Sequence, residues 1–365
     1  MQTDIGDHFI IGFKGTAMSP LLKALLTRVQ PAGVVLFKRN IVSAEQTWQL
    51  LRACQSCVSS PLFTCVDMEG GTVDRLRDVF GPSPSAADVF ASSDRKLYRL
   101  HGKIIGAICR AVGFNVDFAP TLDLAFPPAL PVMTSRVVST DPRKTAAYAR
   151  AFVSGLSDSG VLGCGKHFPG LGEIPLDTHK DLPIINKSLR RLLSEDIEPY
   201  HILRRNLPFI MVCHAIYEAV TKDRIPASLS KKWMTDVLRT KLGYRGLVVT
   251  DDMEMGALQA AAPMEQAAVQ SLKAGADLLL ICHEEEQIQR AYDSVTQEAE
   301  RDRRFTTRLS ESSRRIAQHK KKFAKVVDLR KLPSPSGSKV EKLSRQLWEL
   351  VERVRLEKIA REDAS

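Results

Sequence analysis

Short apolar runs recur along the chain, and each is bounded by polar or turn-forming residues. They are Phe9–Phe13, Gly33–Phe37, Leu62–Val66, Asn115–Ala119, Val161–Gly165, Phe209–Cys213, Gly246–Thr250 and Asp277–Cys282. Runs this short and this uniformly apolar are what a strand buried on both faces requires. Between them the apolar positions change to a helical period. Helices are predicted over Ser19–Val29, Ser43–Cys57, Leu97–Val112, Arg143–Leu156, Ser188–Arg205, Ser230–Leu242 and Met264–Ala274. Several open on a serine, whose hydroxyl can satisfy orphan backbone N–H groups. Gly160, Gly243 and Gly275 follow three of them, as glycines that end helices do. Strand and helix alternating about eight times predicts an α/β protein, a single (β/α)8 barrel of the TIM type. A doubly wound open sheet is the alternative arrangement, but the first strand–helix turn carries no G-x-G-x-x-G.

Past Phe323 the pattern changes. Leu332-Pro333-Ser334-Pro335-Ser336-Gly337-Ser338 has the composition of a linker. Leu343, Leu347, Leu350, Val351 and Val354 then fall at helical spacing within Val340–Ile359. The expected organisation is a barrel over 1–325, then a linker and a short basic amphipathic helix over 326–365. That helix is expected to dock on the barrel or on a second copy, with a membrane surface or nucleic acid as the alternative contacts.

Charge sharpens this division. The net charge is +10, and the 19 basic and 9 acidic side chains of 301–365 account for all of it, leaving 33 of each sign in 1–300. The main body is neutral, so no nucleic-acid partner is expected for it. No apolar run is long enough to span a bilayer and no leader pattern opens the chain, which places the protein by default in the cytosol. The seven cysteines are scattered among apolar residues. They read as small buried side chains in a reducing compartment, and Cys54-Gln55-Ser56-Cys57 has no second pair at zinc-binding spacing.

In a parallel barrel the chemistry collects just past the C-terminal ends of the strands. Those positions hold Lys38 and Arg39; Asp67, Glu69 and Arg75; Asp123; Lys166 and His167; His214; Asp251 and Asp252; and His283. Lys38, Asp123 and His283 read individually as capped or solvated side chains. The segment after the fifth run, Lys166 to His179, contains two prolines and two glycines and closes with Asp177-Thr178-His179. It reads as a shaped loop rather than a tight turn. A carboxylate two residues from an imidazole can hold one ring nitrogen and leave the other to exchange a proton. The same pair also suits a loop closed by a hydrogen bond.

Lys-His-Phe-Pro-Gly at 166–170, Asp-x-His at 177–179 and Thr-Asp-Asp-Met-Glu-Met at 250–255 resemble glycoside hydrolase family 3. The closer resemblance is to the bacterial β-N-acetylglucosaminidases of peptidoglycan recycling. Val66-Asp67-Met68-Glu69-Gly70-Gly71-Thr72-Val73-Asp74-Arg75-Leu76, Phe118-Ala119-Pro120-Thr121-Leu122-Asp123 and Pro226-Ala227-Ser228 fit the same pattern. The likeness runs from about Ile11 to Ile316. It implies Asp251 as nucleophile, His179 oriented by Asp177 as general acid/base, and a sugar held by Asp67, Arg75, Arg136, Lys166, His167 and His214. The substrate it implies is a muropeptide fragment carrying N-acetylglucosamine, cleaved with retention by a monomer or weak dimer, with no cofactor or metal. Leu171, Met68 and Ser135-Arg136-Val137-Val138-Ser139 depart from the family pattern, which leaves loop shape and recognition of the second sugar open. The competing expectations are phosphorolysis or another β-glycosidase on the same barrel; a metal-dependent barrel hydrolase with ligands among His167, Asp177, His179, His214 and Asp251; and a binding protein acting through its basic tail.

Overall fold

A computed structural model describes residues 5–127, 133–173 and 182–362. Eight parallel strands close into a barrel: β1 (Phe9–Ile11), β2 (Gly33–Val35), β3 (Phe63–Val66), β4 (Val116–Asp117), β5 (Leu162–Phe168), β6 (Phe209–Val212), β7 (Leu247–Asp252) and β8 (Leu278–Ile281). Each strand pairs with its sequence neighbours, and β1 returns to β8 through Phe9↔Leu279, Ile10↔Leu280 and Ile11↔Ile281. Closure leaves no free sheet edge among the barrel strands. Each strand lies within or overlaps its predicted apolar run. A two-stranded hairpin of Met68–Gly70 and Val73–Asp74 stands on the rim after β3.

Alternation along each strand divides the core in two. Ile10, Val35, Cys65, Val116, Cys164, Met211, Val249 and Leu280 fill the barrel interior, while Phe9, Ile11, Val34, Val66, Leu279 and Ile281 belong to the layer shared with surrounding helices. That is the period-two consequence of the pleat.

The helices begin where capping chemistry predicts. Ser19 accepts the N–H of Leu22 at the start of α1 (Pro20–Val29), and Ser43 that of Gln46 at the start of α2 (Ala44–Ser56). Next come α3 (Arg95–Ala111) and α4 (Pro142–Asp158), which pack closely on each other, then α5 (Met264–Ala274) and α6 (Glu285–Arg301). Two predicted helices differ in detail. Ser188–Arg205 is broken into Leu189–Ser194 and Glu198–Leu203, with Pro199 in the first turn of the second piece. A proline there has no N–H to continue the preceding helix, which favours the break. The segment Lys232–Lys241 is wound as a π-helix.

Helix α7 (Arg303–Lys322) crosses the N-terminal end of the barrel, where Ile316 joins the interior core. It is held by the buried Asp277 at the foot of β8. Asp277 accepts hydrogen bonds from Ser312, Arg315, Arg239 and the Val248 N–H. Burial pushes its carboxyl up, and the three neighbouring guanidinium groups of Arg239, Arg315 and Arg308 more than reverse this. Helix α8 (Gly337–Glu362) lies on α3, with Leu343, Leu347, Leu350 and Val354 buried in the main core. No described helix is long and apolar enough to cross a membrane. All seven cysteines are free, and burial pushes the Cys54 thiol up to about 12.

Candidate active site

The C-terminal strand ends bring the charged residues together. Lys166, at the end of β5, is buried and donates to Asp67 at 2.7 Å while lying 2.6 Å from Glu69. Glu69, on the rim hairpin, also accepts both Nε and Nη2 of Arg136 at 2.8 Å and the Thr121 hydroxyl at 2.9 Å. Burial would push the Glu69 carboxyl up, but the Arg136 and Lys166 charges hold it well below the ordinary carboxylate range. Burial pushes the Lys166 ammonium down, but Asp67 and Glu69 keep it raised overall, so it stays charged. Arg75 approaches Asp67 at 4.0 Å and lies over the Phe37 ring. Three cations, Lys166, Arg136 and Arg75, and two carboxylates, Asp67 and Glu69, are therefore paired on one side of the barrel mouth.

His167 follows Lys166 through a cis peptide bond, as Pro169 follows Phe168. Its Nδ1–H donates to Asp123 Oδ2 at 2.6 Å, and its Nε2 accepts from Arg136 at 3.4 Å. Asp123 is therefore neither solvated nor a simple cap. It is 1% exposed, and its other oxygen accepts the Leu171 N–H at 2.8 Å, tying the imidazole to the start of the long loop.

The two ends of that loop are also fixed. Gly170 has φ +131°, and a Cβ there would lie 2.5 Å from the Asp196 side chain, so this turn requires glycine. At the other end, buried Lys187 binds Asp196 at 2.7 Å and Glu195 at 3.1 Å, and reaches back to Glu173 at 3.3 Å. Asp177 and His179 lie outside the described residues.

Across the mouth, β7 ends in Asp251 and Asp252. Burial alone would push the Asp251 carboxyl up. The His167 and His214 imidazoles, the Asp252 N–H at 2.9 Å and the Lys166 ammonium hold it below the usual carboxylate value. It is thus an ionised, poorly solvated carboxylate. His214, after β6, is driven towards its neutral form by burial; it accepts from the Ser228 hydroxyl at 2.6 Å and donates to the Asp252 carbonyl at 2.9 Å. It braces the end of β7.

Asp252 is raised to about 6, chiefly by burial, and pairs with His283 at 3.1 Å. His283 is half-exposed and stacks on Phe37, and Lys38 makes a surface pair with Asp78 at 2.9 Å.

The site contains a group with metal-ligand character: Asp252, Glu254 and His283 place their donor atoms within 4.8 Å of one another. Glu254 is already committed, since its oxygens accept the successive N–H groups of Cys282, His283 and Glu284. His167 and His214 likewise have both ring nitrogens engaged, so neither offers a free donor to the metal set considered from the sequence.

The strand ends pointed to Asp67, Arg75, Lys166, His167, His214 and Asp251, and the family resemblance added Arg136; the structure brings all seven together. The sequence assigned no roles to Glu69 and Asp123. Glu69 stood out as a strand-end carboxylate within the Val66–Leu76 motif, and Asp123 closed the Phe118–Asp123 motif as a side chain expected to be capped or solvated. What pairs with what depends on strands far apart in the chain.

A family model described as the glycosyl hydrolase family 3 N terminal domain matches residues 8–318. A beta-hexosaminidase of Idiomarina loihiensis is 34% identical over 281 residues, 76% of this chain and 84% of the relative. Another, from Bordetella avium, is 36% identical over 259 residues, 69% and 73% of the two chains. The solved glycoside hydrolase family 3 beta-N-acetylglucosaminidase of Paenibacillus sp. str. FPU-7 is similar with a TM-score of 0.87 at 30% identity, covering 96% of this chain and 68% of that one. The barrel, its charged mouth and these likenesses converge: the chain belongs to glycoside hydrolase family 3.

Proposed function

We propose that this chain is a retaining exo-β-N-acetylglucosaminidase that removes terminal, non-reducing β-linked N-acetylglucosamine from peptidoglycan-derived muropeptides. The observation that carries this reading is Asp251, an ionised and half-buried carboxylate at the end of β7 facing a mouth lined with paired cations and carboxylates. Such a group is suited to attack the anomeric carbon and form a glycosyl-enzyme, which water then hydrolyses with net retention. His179, oriented by Asp177, protonates the departing glycosidic oxygen and afterwards takes a proton from the attacking water. An imidazole has an unperturbed pKa near 6.5, which suits both tasks at neutral pH. Asp67, Arg75, Arg136, Lys166, His167 and His214 hold or surround the sugar. Lys166 and Arg136 have fixed charge and fixed partners before substrate arrives, so little reorganisation is left for the reaction. The free cysteines suit a reducing compartment such as the cytosol.

The decisive experiment is trapping with a slow fluorinated N-acetylglucosaminide followed by peptide mapping. The expected label is on Asp251, and Asp251→Ala is expected to abolish turnover of an aryl N-acetyl-β-glucosaminide with an unchanged circular dichroism spectrum. A label on another side chain, or substantial turnover by Asp251→Ala, removes Asp251 from the chemistry. His179→Ala is expected to slow substrates with poor leaving groups far more than activated aryl glycosides; equal losses refute its role as acid. Rates equal with and without phosphate are expected for hydrolysis, and phosphate-dependent turnover would show phosphorolysis instead.

A further inference from the structure

A second concave site lies at the opposite pole of the barrel. It is a cleft of about 630 Å³ between three segments: the approach to β6, the turn leading into β7, and the end of α7. Its walls carry Arg204, Arg205, Lys241, Arg245 and Lys322, and no Asp or Glu is among the described residues that line it. Beneath it the charge is also not negative on balance, because the buried Asp277 faces the guanidinium groups of Arg239, Arg308 and Arg315. His319 adds an imidazole to the wall, donating through Nδ1 to the Arg315 carbonyl and tilted against Phe323. His201 lies at the margin and pairs at 3.5 Å with Glu198, which does not itself line the cleft.

Five cations around one concavity, none in a described salt bridge and all but Arg204 exposed, create a positive local potential, and like charges oppose one another until an anion enters. The composition narrows the kind of anion. Three of the five are arginines, whose planar forks match phosphate oxygens in pairs. A single carboxylate would leave most of the charge unbalanced. The volume falls within the roughly 300–1,000 Å³ typical of small-ligand sites. Leu207, Pro208, Leu242 and Phe323 supply an apolar portion beside the charges.

We infer that this cleft binds a small ligand bearing a condensed-phosphate group. The site is separate from the glycosidase mouth: the chain runs from Gly246 at the cleft along β7 to Asp251, a path of roughly 17 Å at strand rise. The inference stands whether or not the proposed glycosidase chemistry holds, because it rests on different residues and a different face.

The test is calorimetric titration of the full chain at about 150 mM salt, where weak surface attraction is largely screened. The probes are tripolyphosphate, ADP and AMP. Saturable one-to-one binding of tripolyphosphate or ADP is expected, with AMP weaker. The variant Arg205→Gln/Arg245→Gln/Lys322→Gln is expected to weaken binding at least about tenfold, and Arg245→Gln alone by a smaller factor. A control of equal charge change on α8, Lys339→Gln/Lys342→Gln/Arg345→Gln, is expected to change it less than about twofold. All six side chains are exposed, so folding should survive and is checked by circular dichroism. ADP binding more tightly than tripolyphosphate would identify a nucleotide as the source, and equal or tighter tripolyphosphate a free condensed phosphate. The inference is overturned by no saturable binding, by undiminished binding in the cleft variant, by equal losses in the control, or by binding confined to long single-stranded polynucleotides.

Discussion

Replacing Glu69 by glutamine tests whether the charge cluster at the barrel mouth is as tightly balanced as its geometry implies. Glu69 has a side chain only 3% exposed and faces two cations, Arg136 at 2.8 Å and Lys166 at 2.6 Å. The amide is nearly isosteric, so Glu69→Gln removes charge without opening a cavity. Lys166 keeps Asp67 as its counter-ion at 2.7 Å, but Arg136 keeps no paired carboxylate, only the Nε2 of His167 at 3.4 Å and the Met133 Sδ at 3.2 Å among its other described hydrogen-bond partners. Removing one partner of a buried pair costs about 3–5 kcal/mol. The retained amide oxygen can still accept one hydrogen bond, which places the expected loss near the lower end, about 3 kcal/mol.

The pH dependence has a definite sign. Despite the upward push of burial, the two cations hold the folded carboxyl below its unfolded value. Its contribution is therefore complete above the unfolded pKa of about 4.3 and is lost as pH falls below it. Urea unfolding followed by tryptophan fluorescence at pH 7 measures the loss directly. Adding Arg136→Met removes the orphaned charge as well, so the double variant should be about 1.5 kcal/mol or more better than the sum of the singles. A Glu69→Gln loss below about 1 kcal/mol, or strict additivity, would show that solvent already screens the cluster.

Other consequences can be measured separately. Asp123→Asn weakens the acceptor that fixes His167 and the Leu171 N–H, and should lower kcat/KM on an aryl N-acetyl-β-glucosaminide by about 10–100-fold; unchanged kinetics would refute the positioning role. Burial lowers His8 to about 4 and His101 to about 3, so in both cases the folded value lies below the unfolded one. Stability tied to these residues is complete above about pH 6.5 and is lost on acidification; between pH 7.5 and 5, His101→Phe should remove about 2 kcal/mol of the pH dependence seen in urea midpoints. An identical slope in that variant would refute the assignment. On α8, Leu350→Ala at a 1% exposed position should cost about 2–5 kcal/mol. By contrast Trp348→Ala, at 63% exposure, should change stability by about 0.5 kcal/mol or less. Equal effects would mean that α8 does not rest on α3 in solution.

The barrel was legible because its two signals are local. A strand buried on both faces must be a short apolar run, and a helix covering it must carry an apolar stripe and usually a capping residue. Ser19 and Ser43 are caps where expected, and all eight strands fall on the predicted runs. The strand ends also marked the chemistry, since a parallel barrel gathers the residues just past every strand at one pole. Local pattern could not fix partners. Glu69 binds Arg136 across 67 residues of chain, and Asp123 binds His167 across 44. Neither spacing has a period, because each is set by the closure of the barrel rather than by the geometry of one element. The same holds for the basic cleft, whose arginines and lysines come from 204–205, 241–245 and 322 and looked like separate surface charges in the linear chain. Hydrophobic periodicity determines which residues form strands and helices. Only packing those elements into three dimensions determines which charges share a low-dielectric space, and therefore which are neutralised and which remain to act on a ligand.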